Sequence, residues 1–239
     1  MYSREHHNLI YSALDNFNSD YLAEHQILFG GGTRIALELN EYRKSIDIDF
    51  LCPNKDSYRA VRTTASNNSL GNLVKKDFEY PREIRLDRDS TRCFILIDGI
   101  TIKLEFVSFA DYSLNQEKNN NFHVPAIDHD ACYLTKLLAN ADRYNDEPYK
   151  DIFDLLAMFE NWGEINTEVW KASDTHYSYN SVFSGLEKAC AKIIQNPQKY
   201  LEIAQNELEI TSEYSEKLVN DVSKQFMNYV LAQKSLHIR

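Results

Sequence analysis

Asp47 and Asp49 are the residues whose type and spacing could do chemistry most directly. They alternate with Ile46, Ile48 and Phe50 in Ser45-Ile46-Asp47-Ile48-Asp49-Phe50-Leu51. That alternation predicts a strand with its apolar residues on one face and both carboxylates on the other. Two like charges on one strand face repel unless a cation sits between them. Oxygen ligands of this kind suit magnesium, which usually takes one or two protein carboxylates plus substrate phosphates. Upstream, Gly30-Gly31-Gly32-Thr33 allows a tight turn whose bare backbone N–H groups can approach an anion. A glycine turn feeding a helix N-terminus is a ready site for phosphate. Taken alone, Asp-x-Asp reads as a solvated strand face after a surface turn. Its conjunction with the glycine turn and an intervening helix points to metal-assisted phosphate chemistry.

The elements that must position these residues are legible around them. His25-Gln26-Ile27-Leu28-Phe29 reads as a buried strand. Thr33 opens a helix to about Asn40, with Ile35, Ala36 and Leu39 available for packing. Cys52-Pro53-Asn54 ends the aspartate strand, because proline cannot continue a central ladder. A helix is expected over residues 4–23, another over 56–65, and a strand with a charged outer face over 83–89. Asp98-Gly99 is a favoured two-residue hairpin turn between Cys93–Ile97 and Ile100–Phe106. In the second of these strands Ile100, Ile102, Leu104 and Phe106 face a core, and Lys103 and Glu105 face away.

Asn119-Asn120-Asn121 and Pro125 mark a loop and a boundary between a first domain, residues 1–125, and a second, 126–239. Helices are expected over 128–141, 148–162, 178–195, 198–208 and 212–235. Pro148 suits a first helical position and Gly163 a C-terminal cap. The fold class is therefore α+β, a small mixed sheet flanked by helices and followed by a helical bundle. Lys136 lies among apolar residues, where a lysine needs a partner. Asp151 and Asp154 share a helix face. On physics alone these residues could form a structural lysine–aspartate pair between neighbouring helices.

Of the 239 residues 43% are hydrophobic, enough for a proper core, and the formal net charge is -10. That charge argues against a general electrostatic grip on nucleic acid and leaves room for a local basic groove. No apolar run is long enough to span a membrane and no signal peptide is apparent, so a cytoplasmic protein is expected. The four cysteines form no Cys-x-x-Cys and read as reduced, mostly buried thiols. The histidines lack ligand spacing. Arg82, Arg85, Arg88 and Arg92 form the densest basic run, among Glu83, Asp87 and Asp89.

The glycine turn, helix and Asp-x-Asp strand resemble a nucleotidyltransferase of the DNA polymerase β superfamily. With Lys136 and Lys150-Asp151-x-x-Asp154 added, the sequence resembles the AbiEii/AbiGii-type toxin family over residues 25–160. The resemblance implies transfer of a nucleotidyl group from a nucleoside triphosphate to an RNA acceptor such as tRNA. It further implies membership of an abortive-infection or toxin–antitoxin system with a cognate antitoxin. Asp47 and Asp49 would bind magnesium, and Gly31, Gly32 and Thr33 would hold phosphates. Lys136 would contact the triphosphate and Asp151 would be essential to the site. Glu105 stands where the superfamily carries a third carboxylate that binds metal or takes a proton. This chain departs from the pattern in having Thr33 for the frequent serine, and Arg143 further before Lys150-Asp151 than the usual arginine. A small-molecule nucleotidyltransferase, a non-catalytic nucleotide-binding protein and a plain nucleic-acid-binding module are the alternatives.

Overall fold

Alternating apolar residues build a five-stranded sheet in the computed structural model, which describes residues 2–109 and 111–237. In chain order the first half runs α1 (Glu5–Asp15), α2 (Ser19–Glu24), β1 (Leu28–Gly30), α3 (Gly31–Glu38), β2 (Asp47–Cys52), α4 (Lys55–Thr64), β3 (Arg85–Leu86), β4 (Ser90–Ile97) and β5 (Ile100–Ser108). The strands lie in the order β1-β2-β5-β4-β3. Strands β2 and β5 are parallel and the other pairs antiparallel, the mixed sheet expected. Asp98 and Gly99 turn the hairpin with φ of 49° and 79°. A two-residue loop of this hand needs positive φ at both positions, which Asp-Gly supplies at low cost.

The period of two divides the sheet into unlike faces. Ile48, Phe50, Ile95, Ile102, Leu104 and Phe106 are fully buried and pack with Ile10 and Leu14 of α1. Phe50 stacks on Phe106 with ring centroids 5.2 Å apart. Burying each side chain of this size contributes about 1.5–3 kcal/mol, so the register of β2 is firmly set. A slip of one residue would bury Asp47 and Asp49 instead.

The chain divides into two compact units. One comprises Met1–Leu37 and Ser45–Asp128, the other Glu38–Lys44 and His129–Arg239. The second unit contains α5 (His129–Arg143), α6 (Lys150–Trp162), α7 (Thr167–His176), α8 (Tyr179–Gln195), α9 (Pro197–Asn206), α10 (Ser212–Lys217) and α11 (Ser223–His237). Its core includes Trp170 stacked on Phe183 and Phe159 against Phe226.

Several expectations need correction. The helix over 4–23 is two helices, because Asn18 caps α2 and Phe17 bridges to Val74 between them. Helix α3 begins at Gly31 rather than Thr33. Strand β2 begins at Asp47, leaving Ile46 44% exposed. The strand over 83–89 shrinks to Arg85–Leu86, short pairing at the sheet edge. Pro148 lies before α6, whose N-cap is Tyr149 at φ 58°, while Gly163 does cap its C-terminus. Helix α7 was not expected. The last helix stays helical but passes through a π turn, Leu218–Val222, which shifts its buried face. All four cysteines are free and buried, as expected. Burial pushes the Cys93 and Cys190 thiols up to about 12.

Candidate active site

Pairing in the sheet brings the glycine turn and the aspartates together. Gly30 lies opposite Asp49 in the β1–β2 ladder, and Gly31 opens α3 directly after it with φ of 70°. A Cβ added at Gly31 would collide with the Asp49 carboxylate. Only glycine therefore permits both this backbone conformation and this approach. The N–H groups of Gly31, Gly32 and Thr33 belong to the first turn of α3, which has no intrahelical acceptors for them. The Thr33 side chain is buried. Its hydroxyl donates to the Asp47 carbonyl and lies 2.7 Å from Ser45 Oγ, so it pins α3 to the start of β2. Any role of Thr33 toward phosphate falls to its backbone.

Glu105 is directly opposite Asp49 across β2–β5, and Lys103 is opposite Asp47. Asp47, Asp49 and Glu105 thus share a face, as the resemblance implies. Both Glu105 oxygens are engaged: Lys103 Nζ donates to Oε2 at 2.7 Å, and Arg92 donates to Oε1 at 2.8 Å and 3.1 Å. Partial burial would raise the Glu105 carboxyl, but Lys103 and Arg92 outweigh it and hold the group below its usual range. Burial lowers Lys103, and Glu105, Asp47 and Asp49 together raise it above its ordinary value. Lys103, which alternation alone marks only as outward-facing, is thus a resident cation of the acidic face.

Among the described residues no three His, Cys, Asp or Glu side chains gather as metal ligands. The donor chemistry nevertheless fits one hard cation. Asp47 and Asp49 are partly exposed, they supply oxygen only, and the bare Gly31 lets the Asp49 carboxylate sit against the start of α3.

Lys136 and Asp151 lie in the helical unit, in a network of opposite charges. Lys136 is 7% exposed; its Nζ lies 2.8 Å from Asp151 Oδ1 and 2.6 Å from Asp154 Oδ2. Arg143 donates to Asp151 through Nε at 2.6 Å and Nη2 at 3.1 Å. Arg43 donates to Asp154 through Nε at 2.8 Å and Nη2 at 3.0 Å, and Tyr42 donates to Asp154 as well. Arg143 therefore has a definite partner despite its unusual spacing. Reasoning from sequence missed Arg43; its signal was a basic residue two positions before Ser45, beside an aromatic one.

Burial would raise the Asp151 carboxyl, but Lys136 and Arg143 outweigh it and hold the group well below the usual carboxylate range. Asp154 is likewise held down, by Arg43 and Lys136 against its burial. A carboxylate depressed in the folded state contributes stability that is fully present above its unfolded pKa, about 4, and is lost as pH falls toward its folded value. The protein is accordingly expected to lose stability steeply below about pH 4. A series of thermal melts across acid pH, repeated on Asp151→Asn, should show a shallower slope in the variant. Identical slopes would mean that Asp151 does not carry the acid sensitivity.

No helix of the described residues is long and apolar enough to cross a membrane. No curated protein matches the chain. Two solved structures share its fold. The first is JHP933 from Helicobacter pylori, with a TM-score of 0.56 and 16% identity over 99% of this chain and 97% of that one. The second, described as a candidate nucleotidyltransferase from H. pylori, has a TM-score of 0.55 and 15% identity over 95% and 96%. The family model described as "Nucleotidyl transferase AbiEii toxin, Type IV TA system" matches residues 12–225, taking in the glycine turn, Asp47, Asp49, Glu105, Lys136 and Asp151 as well as most of the helical unit. The match spans most of the chain, and the chain therefore belongs to the AbiEii nucleotidyltransferase toxin family.

Proposed function

We propose that the chain transfers a nucleotidyl group from a nucleoside triphosphate to a hydroxyl of an RNA acceptor, tRNA being one such acceptor. The observation that carries this reading is the seating of the Asp49 carboxylate against Gly31 at the start of α3. A helix N-terminus favours an anion and a carboxylate favours a cation, so their closeness supports a metal-bound triphosphate as the ligand. Asp47 and Asp49 would hold magnesium. The chemistry such a cation would supply there is neutralisation of negative charge on the triphosphate. The first-turn N–H groups of α3 orient the triphosphate, and Lys103 adds a positive charge on the same sheet face. Lys136 would, by the family resemblance, serve the triphosphate, and within its own unit its ammonium is paired with Asp151 and Asp154. Asp151 fixes that ammonium in place. Membership of a type IV toxin–antitoxin family supports a growth-inhibiting role and an antitoxin as counterpart.

Glu105 enters as the anchor of Lys103 and Arg92. A carboxylate held below its usual range by two cations is a weak proton acceptor. Glu105→Gln is expected to slow transfer less than about tenfold. A loss of about a hundredfold, the usual worth of a general base, would assign it the proton instead.

The test of the whole reading is incubation with each labelled triphosphate, magnesium and total bacterial RNA. Label is expected in an RNA fraction, with strict dependence on magnesium. Label in a small molecule, or in nothing, would overturn it.

A further inference from the structure

The outward face of the sheet continues beyond the carboxylates. The registers Asp49↔Glu105, Glu105↔Arg92 and Arg92↔Arg85 line up one row across β2, β5, β4 and β3. Neighbouring strands are about 4.8 Å apart, so the row runs about 14 Å from the Asp49 position to the Arg85 position. It passes from acidic to basic. The adjoining row, Asp47↔Lys103 and Lys103↔Phe94, ends on an aromatic ring. The Arg82 guanidinium lies over that ring, its Cζ 3.8 Å from the centroid.

Two features of this edge lack a structural explanation. Arg85 and Arg92 are like charges placed directly opposite each other, a destabilising cross-strand pair. Arg92 is tied to Glu105, but neither Arg82 nor Arg85 has a carboxylate partner among the described residues, and both are exposed. The acidic residues nearby do not supply one: Asp89 lies 3.8 Å from Arg88, and neither Glu83 nor Asp87 pairs with Arg82 or Arg85 among the described residues. A chain of net charge -10 holds these guanidinium groups beside a partly exposed phenyl ring. Positive charge tracking a backbone, with an aromatic or guanidinium plane for a base, is how proteins hold single-stranded nucleic acid without reading its sequence.

We propose that Arg82, Arg85, Arg92 and Phe94 form a docking surface for a single-stranded RNA end. The surface leads the strand along the row toward Asp47 and Asp49. Arg85 and Arg92 take successive phosphates, and the Arg82–Phe94 pair stacks a base. At about 3.4 Å per stacked nucleotide, the row spans about four nucleotides. This inference deepens the proposed function and rests on it for the identity of the acceptor.

The test is binding of a labelled, mixed-sequence single-stranded RNA oligonucleotide by the full chain across a salt series, alongside triphosphate binding and label transfer. Arg82→Ala with Arg85→Ala, both at exposed positions, is expected to weaken RNA affinity at least tenfold. The slope of log affinity against log salt should become shallower by about 0.7, the worth of the one single-strand phosphate that Arg85 neutralises. Triphosphate affinity should be unchanged. Arg85→Lys should keep most of the RNA affinity, because holding a phosphate needs the charge. RNA affinity and salt slope unchanged in the double variant would overturn the surface, even if transfer is seen in the wild type. RNA binding that depends on both arginines, in a protein that transfers no label, would support the surface and defeat the transfer reading instead.

Discussion

Asp49→Asn is expected to slow nucleotidyl transfer by on the order of a thousandfold, the upper range for removing one preorganised electrostatic group from an active site. The substitution keeps the shape that Gly31 accommodates and removes only the charge. Asp49 lies opposite Gly30 and beside the first turn of α3, so the missing charge would be one of the two that hold the cation. The fold should not suffer. Asp47 and Asp49 repel each other on one strand face, with Lys103 as the resident compensation, so the melting temperature should hold or rise. Transfer rate against magnesium concentration, read beside a thermal melt, checks both halves. Full activity in Asp49→Asn would remove the metal assignment. An unfolded variant would mean that Asp49 holds the β1–β2 ladder together instead.

Lys136→Met should produce the largest loss of stability. The methionine keeps the stem and removes an ammonium that lies between two buried carboxylates. Breaking a buried pair from one side costs about 3–5 kcal/mol. Here the cost should fall near the lower end, because Asp151 keeps Arg143 and Asp154 keeps Arg43. Adding Asp151→Leu should restore much of the stability, since Arg143 is 55% exposed and water can solvate it once its partner is gone. The double variant separates the two roles of Lys136. If the ammonium serves the triphosphate, the double variant should melt near the wild type and still bind nucleotide poorly. Recovery of both stability and nucleotide affinity would leave Lys136 as a purely structural cation.

The strand of Asp47 and Asp49, the glycine turn before it and the hairpin of Glu105 were legible in the sequence. Alternation at Ile48 and Phe50 fixed which face Asp47 and Asp49 occupy, and Asp98-Gly99 fixed the hairpin that carries Lys103 and Glu105. Both are local signals, in which a period of two or a two-residue turn is complete within one segment. The family resemblance was likewise carried by short motifs. Apart from Lys136 with Asp151 and Asp154, a pairing legible in a lysine among apolar residues and two aspartates three apart, the charge partners emerged only in the folded chain. That Glu105 is held by Arg92 depends on the pairing of β4 with β5, and that Arg85 faces Arg92 depends on the pairing of β3 with β4, which the strand expected over 83–89 did not specify. That Arg43, from the segment between α3 and β2, joins the helical unit and meets Asp154 spans more than a hundred residues of sequence. Charge pairing has no period. A sequence shows which residues carry charge, and only the folded chain brings each to the opposite charge that gives it a role.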